Sequence, residues 1–544
     1  MGDSGQGAQR RTQRGAGQGT EQGTGRGAGR GPGPRVGGGV ACEHSGVLPH
    51  FSDEFCARLA EALRVVGYDA DGVVAALGDQ AHAALGRGEP EPARRRTADG
   101  GPLATLIRMF LVGDTVPLAR ARAALSGLDL ADAAAVGLVA VSGDTARAGL
   151  DLRPYGDDEG SWWVVADLDA EQAGRPVGTD HVLGIGHASL SLARATVRRE
   201  VDSLLDLGTG CGVQALHASR HAARITATDL SPRCLALASA TFRLNGLDVE
   251  TARGSWFEPV AGRRFDQVVC NPPFVVGPPR VDYTYRDSGL AGDDASALVV
   301  RGLPDVLAPG GVGQLLASWL HRRGEDWAER VTGWLPDEGV DAWFVQRDVA
   351  EPAMYVGTWL RDAGIDPRSA EGSAKAAAWL DWFEANDVVG VGFGFVTLRA
   401  TGTDTEVACE DLRHAYDDPL GPEAGGWLDR VAWLRANADP ARLVGTRFTV
   451  SPTVVLERVA EPTGDGWKEL VRRLHRTDGP GWQQETDELV TALLAGCQGQ
   501  VPLGDLLSLL AAANGLPTDE VVRAALPVVV DLVTHGMLLP EESA

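Results

Sequence analysis

From residue 201 onward the chain alternates short apolar runs with longer stretches of helical periodicity. No other feature constrains its fold as much. Apolar runs of strand length lie at 201–207, 224–228, 249–252, 265–270 and 312–318, with helical stretches between most of them. Strands that alternate with helices predict a parallel, doubly wound α/β sheet. Two more runs, near 340–345 and 391–399, bring the expected count to seven strands. The Ala-rich, Trp-containing segment 369–386 between these last two reads as a helical insertion. Ligands of such sheets bind outside the carboxyl ends of the strands.

Three strand ends carry residues with chemistry. The run 204–212, LLDLGTGCG, follows a strand and opens a helix. Its glycines at 208, 210 and 212 let the backbone turn sharply and come close to a ligand. The spacing is GxGxG, and Val213 breaks the dinucleotide fingerprint GxGxxG. A pyrophosphate at the helix N-terminus would be unfavourable beside Asp206, whereas that carboxylate suits a cationic ligand. The next strand ends Ala227-Thr228-Asp229, where an acidic side chain can accept both ribose hydroxyls of an adenosine moiety. Ser231 and Pro232 then cap and start a helix that ends at Asn245-Gly246.

The third strand runs into Val268-Val269-Cys270-Asn271-Pro272-Pro273-Phe274. The nitrogen of an amide or an exocyclic amine is a poor nucleophile because its lone pair is delocalised. The Asn271 side-chain oxygen and the Pro272 carbonyl can both accept hydrogen bonds from an NH2 group. That fixes the nitrogen and favours its pyramidal form. The prolines stiffen the loop, and Phe274 offers a flat face to a planar amide or base.

Taken together, these motifs make roughly residues 175–400 resemble the class I S-adenosylmethionine-dependent methyltransferases with an (N/D)PP(F/Y/W) motif. The resemblance implies a Rossmann-like, seven-stranded domain with S-adenosyl-L-methionine as cofactor. It implies that Asp206, Gly208, Gly210 and Gly212 line the cofactor and that Asp229 binds its ribose. The segment Gly254-Ser255-Trp256-Phe257 would flank the adenine, although many relatives carry Asp where Ser255 stands. The stretch 181–186, which contains Gly184, looks like the loop over the methionine end. Asn271, Pro272 and Phe274 would form the catalytic acceptor site, with no metal. Within the group, the DLGTGCG loop and the NPP strand end resemble those of protein-glutamine N5-methyltransferases that modify peptide release factors. Phe274 departs from the Tyr usual there, and NPPF is common among rRNA methyltransferases acting on guanine N2 or adenine N6.

The flanks differ in character. Residues 1–40 hold 15 Gly and no aromatic residue, and such a segment cannot bury enough surface to offset its ordering entropy. Residues 1–44 are therefore expected to be a disordered Gly/Arg-rich tail. Residues 45–172 read as a helical, winged-helix-like domain. Ser52 caps its first helix, 93–101 is a loop, a helix starts at Pro102, and a Ser142-Gly143-Asp144 turn joins two strands. The helix in the recognition position, Asp129-Leu130-Ala131-Asp132, lacks the Arg and Lys of a major-groove reader. A scaffold or substrate-docking role fits it better. Residues 173–402 are assigned to the methyltransferase domain. Residues 403–544 are assigned to a mainly helical C-terminal domain, with helices near 503–512 and 518–534 that suggest a second winged-helix-like unit.

Composition removes several alternatives. The net charge of -24 lacks the overall basic footprint of a duplex-DNA protein. The run 388–398 between Asp387 and Arg399 is too short to cross a bilayer. The first 40 residues contain no apolar signal core, so a cytoplasmic protein without membrane partners is expected. The cysteines include no CxxC pair, which argues for free thiols. His217 and His221, four apart on one expected helix, lack a third clustered ligand. The first reading is therefore an N-methyltransferase for a glutamine side-chain amide of a protein partner, such as a translation factor. An exocyclic amine of an RNA or DNA base is the second acceptor, and a non-catalytic binding module a third reading.

Overall fold

Strand β1 (Val201–Leu207) lies inside an eight-stranded sheet. Its companions are β2 (Ala222–Asp229), β3 (Glu250–Arg253), β4 (Phe265–Cys270), β5 (Leu307–Arg322), β6 (Glu338–Ala350), β7 (Val388–Asp404) and β8 (Glu406–Asp411), in the order β8-β6-β7-β5-β4-β1-β2-β3. The computed structural model describes residues 48–157, 159–174, 178–279, 287–413 and 419–541. The expected tail at 1–44 lies outside the described residues.

Helices cover both faces of the sheet. Of those used below, α1 (His187–Ala195), α2 (Val213–Ala218) and α3 (Pro232–Leu244) precede α4 (Asp294–Val306), α5 (Pro352–Asp362) and α6 (Ala370–Ala385). Alternation along β1 sends Leu204 to one face, against Ala215 of α2 and Phe242 of α3. It sends Leu205 and Leu207 to the other, against Val299, Val300 and Leu303 of α4. A strand buried on both faces must be apolar at consecutive positions, which is why it was legible as an unbroken run. Ser231 caps α3 as expected, its hydroxyl accepting from the Cys234 N–H at 3.3 Å.

The sheet corrects the expected fold in two ways. It has eight strands rather than seven, and it is mixed rather than parallel. β1 to β5 pair in parallel, but β7 runs antiparallel to both β5 and β6. Residue periodicity reports which positions are apolar but says nothing of strand direction. The extra strand, β8, pairs in parallel with β6 after a turn at Thr405, whose N–H and hydroxyl bond to Asp337 and Pro336 carbonyls. As a partly exposed edge strand, EVACED, it has no apolar run to announce it.

The flanking regions are knitted into this sheet. The boundary expected at 402/403 falls inside β7, and that at 172/173 falls inside the short helix Ala170–Ala173. Phe55, Leu59, Leu152 and Val165 share one core with Cys211, Val213 and Leu237. Trp343 and Val345 of β6 share another with Trp427, Leu507 and Leu532.

N-terminally, Ser52 caps the helix Asp53–Val66 as expected. The order helix, helix, hairpin is present, with strands Val139–Ser142 and Thr145–Ala148 around the predicted turn. Two details differ. Residues 91–96 form a helix where a loop was expected, because Arg94 pairs with Asp114 and Arg96 donates to the Leu77 carbonyl. After Leu150 a separate ladder pairs Asp151–Asp157 with Gly160–Ala166.

C-terminally, the expected helices are Leu503–Asn514 and Thr518–Thr534. The region is not mainly helical, however. It also contains a long hairpin, Val454–Thr463 with Gly466–Arg476, and a three-stranded sheet of Gln498–Pro502, Arg447–Val450 and Leu538–Pro540. The charged, exposed hairpin strands hide their period from a reading based on apolar runs. Among the described residues, no helix is long and apolar enough to cross a membrane.

Candidate functional site

The carboxyl ends of β4, β1 and β2 lie side by side, so the three motif-bearing loops share one edge. Gly208, Gly210 and Gly212 all adopt positive φ, at 77°, 57° and 92°. Side chains larger than hydrogen are strained there. The glycines serve two ends. A Cβ at Gly212 would lie 2.6 Å from the Phe242 ring, so that glycine lets the loop pack on α3. A Cβ at Gly208 or Gly210 would meet nothing within 4 Å, so those backbones face open space.

Asp206 sits beneath this loop, fully buried. Its Oδ2 accepts from the Thr209 hydroxyl at 2.7 Å and the Ala215 N–H at 3.2 Å. Its Oδ1 is buried without a partner among the described residues. Burial pushes the carboxyl up to about 7, against the lowering effect of those two hydrogen bonds. The folded protein thus holds this proton more tightly than the unfolded chain, whose reference value is 3.8, and stability falls as pH rises from about 4 to about 7. Asn retains the oxygen without the charge. Cofactor-free Asp206→Asn protein is therefore expected to melt above wild type at pH 8 and level with it near pH 4. Scanning calorimetry at both pH values measures this, and equal midpoints at pH 8 would contradict a buried charge.

Asp229 closes the other side of the loop. Its Oδ2 accepts from the Gly210 N–H at 3.0 Å and its Oδ1 from the Ser231 N–H at 2.8 Å. Burial raises its pKa. A carboxylate has about four acceptor positions, so these two bonds leave capacity for a diol. Leu230 beside it is 61% exposed, an apolar face that sequence reasoning passed over. Its signal was available: a large aliphatic residue directly after the strand-end acid. Ser255 donates its N–H to Glu258 at 3.3 Å. Trp256 has φ 47° and packs partly against the core under α4. Gly184 lies across from the ladder Asp151–Asp157, where a Cβ would come 3.4 Å from Asp151 Oδ2.

At the end of β4, Asn271 is half-buried. Its Nδ2 points to the Ser189 hydroxyl of α1 at 3.4 Å, and its Oδ1 has no partner among the described residues. Phe274 stands edge-on to Trp359 of α5 and Phe393 of β7, at 6.5 and 6.2 Å between ring centroids. The loop is held from the insertion: Tyr355 of α5 accepts the Val276 N–H at 2.6 Å. Ser189, Tyr355 and Trp359 were not singled out from sequence, because their relation to Asn271 is purely spatial. The expected helix carrying both histidines stops at Ala218. His217 Nε2 bonds to the Tyr155 hydroxyl at 2.9 Å and His221 Nε2 to Gln267 Oε1 at 2.9 Å, so they face different partners.

Open backbone at Gly208 and Gly210, an Asp206 carboxyl oxygen without a partner among the described residues and spare acceptors at Asp229 fit a ligand with a cationic end and a ribose, as S-adenosylmethionine has.

Comparison with known proteins agrees with this geometry. The family profile described as "Methyltransferase small domain" matches residues 184–286. Two further profiles, each described as a domain of unknown function, match 65–149 and 425–540. The chain is 33% identical over 177 residues to the release factor glutamine methyltransferase of Bordetella pertussis, covering 30% of this chain and 62% of that protein. It is 32% identical over 144 residues to the ribosomal protein uL3 glutamine methyltransferase of Bradyrhizobium diazoefficiens, covering 24% and 44%. With the release factor glutamine methyltransferase of Cereibacter sphaeroides it shares 31% identity over 229 residues, covering 36% and 82%. The chain spans about half the length of the first curated relatives it matches. With its glycine loop, acidic strand end and NPPF turn on one sheet edge, the chain belongs to the S-adenosylmethionine-dependent methyltransferase family of the release factor glutamine methyltransferases.

Proposed function

We propose that this protein methylates the side-chain amide nitrogen of a glutamine in a protein of the translation apparatus, acting in the cytoplasm. The observation that carries the reading is the buried Oδ1 of Asn271, without a partner among the described residues, at the end of β4 next to the glycine loop of β1. A buried acceptor without a donor is costly, and an incoming amide NH2 would satisfy it. The relatives named for glutamine methylation support the same acceptor.

S-adenosylmethionine supplies, when bound, a methyl group already activated on its sulfonium. Asp206 and the backbone of Gly208 and Gly210 hold its amino-acid end, and Asp229 holds the ribose. Gly184 belongs to the loop over the methionine, while Ser255, Trp256 and the exposed Leu230 border the adenine. Asn271 Oδ1 and the Pro272 carbonyl accept from the substrate NH2, aim its lone pair and favour its pyramidal form. Phe274, braced by Trp359 and Phe393, forms the flat wall against the amide.

Phe274 in place of Tyr also favours a second reading, in which the acceptor is the exocyclic amine of an RNA base stacked on that ring. One experiment separates the two. The protein is incubated with labelled S-adenosylmethionine and extract, and the product is split between protease and RNase. Label released by protease and recovered as N5-methylglutamine is expected. Label released by RNase would replace the first reading with the second, and absence of label would remove both.

A further inference from the structure

We propose that Asp151, contributed by the N-terminal region, is a binding residue for the α-ammonium group at the methionine end of the cofactor. The inference rests on the reading that S-adenosylmethionine occupies the glycine loop, but it does not depend on the methyl acceptor.

The ladder Asp151–Asp157 with Gly160–Ala166 packs on α3, where the Val165 N–H donates to the Thr241 hydroxyl at 3.0 Å. At its far end, the Tyr155 hydroxyl meets His217 of α2 at 2.9 Å. Asp151, at the other end of the strand, is brought to the start of α2. Its neighbours Leu150 and Leu152 share a core with Cys211 and Val213. Its charge is felt by the Cys211 thiol, which burial chiefly holds up at about 12. Asp151 Oδ2 lies 3.4 Å from where Gly184 would carry a Cβ, which places the loop at 184 directly beside the carboxylate. Asp151 thus stands between the loop at 184 and the glycine loop, the two segments assigned to the methionine end.

Its bonding is incomplete. Asp151 is 6% exposed. Oδ2 is 3.3 Å from Arg153 Nε, and Oδ1 has no partner among the described residues. A buried carboxylate with an unfilled acceptor position is expensive, and among the described residues Asp151 and Asp206 both have one. A sulfonium has no N–H to offer either oxygen. An ammonium has three donors and the complementary charge. Arg153 neutralises part of the Asp151 charge from Oδ2, which leaves Oδ1 as the acceptor for the ligand.

The test is titration calorimetry on the full chain with two ligands: S-adenosylhomocysteine, and 5′-methylthioadenosine, which has the same nucleoside but no amino-acid end. Asp151→Asn is expected to weaken S-adenosylhomocysteine by about tenfold or more, the loss of a hydrogen bond to a charged group. It should leave 5′-methylthioadenosine within twofold of wild type. Asp151→Ser, smaller and also uncharged, should reproduce the same split and serves if the Asn protein does not fold. Unchanged S-adenosylhomocysteine affinity overturns the proposal, and so does an equal loss for both ligands, which would mark Asp151 as a structural residue. Wild-type protein that binds neither ligand would instead overturn the cofactor reading beneath it.

Discussion

Asn271→Ala is expected to slow methyl transfer about 10²–10³-fold, the cost of losing one preorganised polar contact in a transition state. The substitution removes the only side-chain acceptor proposed to face the substrate nitrogen. Cofactor affinity should barely change, because in the proposed arrangement the strand end of β4 addresses the acceptor while β1 and β2 address the nucleoside. Stability should not fall much, since Oδ1 has no bond among the described residues to lose and Nδ2 makes only a long contact to Ser189. Asn271→Asp keeps an acceptor oxygen and should retain part of the activity. Single-turnover transfer beside equilibrium binding distinguishes these effects. A wild-type rate would place the acceptor elsewhere. Parallel loss of rate and cofactor affinity would mean that the NPPF turn props up the pocket instead of orienting the substrate.

The other large effect concerns stability. Asp341 in β6 is fully buried and takes two arginines: Arg399 of β7 at 2.5 Å, and Arg435 of the helix Leu420–Ala436. Two residues on, the same docking continues as aromatic packing, where Trp343 stacks on Trp427 with centroids 5.5 Å apart and planes 13° from parallel. The carboxylate ties the C-terminal region to the catalytic sheet. Asp341→Ala would leave two cations short of a partner, and breaking a buried pair in this way costs about 3–5 kcal/mol. The thermal midpoint should drop markedly. Asp341→Asn, which can still accept one hydrogen bond, should drop less. An unchanged midpoint for Asp341→Ala would show that Arg435 is satisfied by Glu406 alone, which it meets at 2.8 Å.

Much of the candidate site was legible in one dimension. A glycine loop after a strand, an acid at the next strand end and an NPPF turn are contiguous signals, and each is short because its job is done by adjacent backbone. The positive φ values at 208, 210 and 212 and the Ser231 cap are local consequences of local sequence. The helical insertion was also visible, and α6 occupies most of the stretch expected.

What escaped was relational. The direction of β7 and its place between β5 and β6 depend on which strand edges remain unpaired, and no residue pattern in 388–404 encodes that. β8 is a strand because β6 offers it an edge. Residues 91–96 are helical because Asp114 and the Leu77 carbonyl receive their arginines. The order helix, helix, hairpin at the N-terminus was readable, but that this region shares a core with α2 and α3 was not. Asp151 is the sharpest case, since it stands 33 positions before Gly184, and its unfilled oxygen gains meaning only beside that loop. The sequence alone determined the alternation of strands and helices and the three strand-end motifs, because side-chain period and turn chemistry are set by neighbours along the chain. The tertiary structure decided strand order, the shared cores and the partners of buried charges, because burial and hydrogen bonding are settled between residues that meet only once the chain has folded.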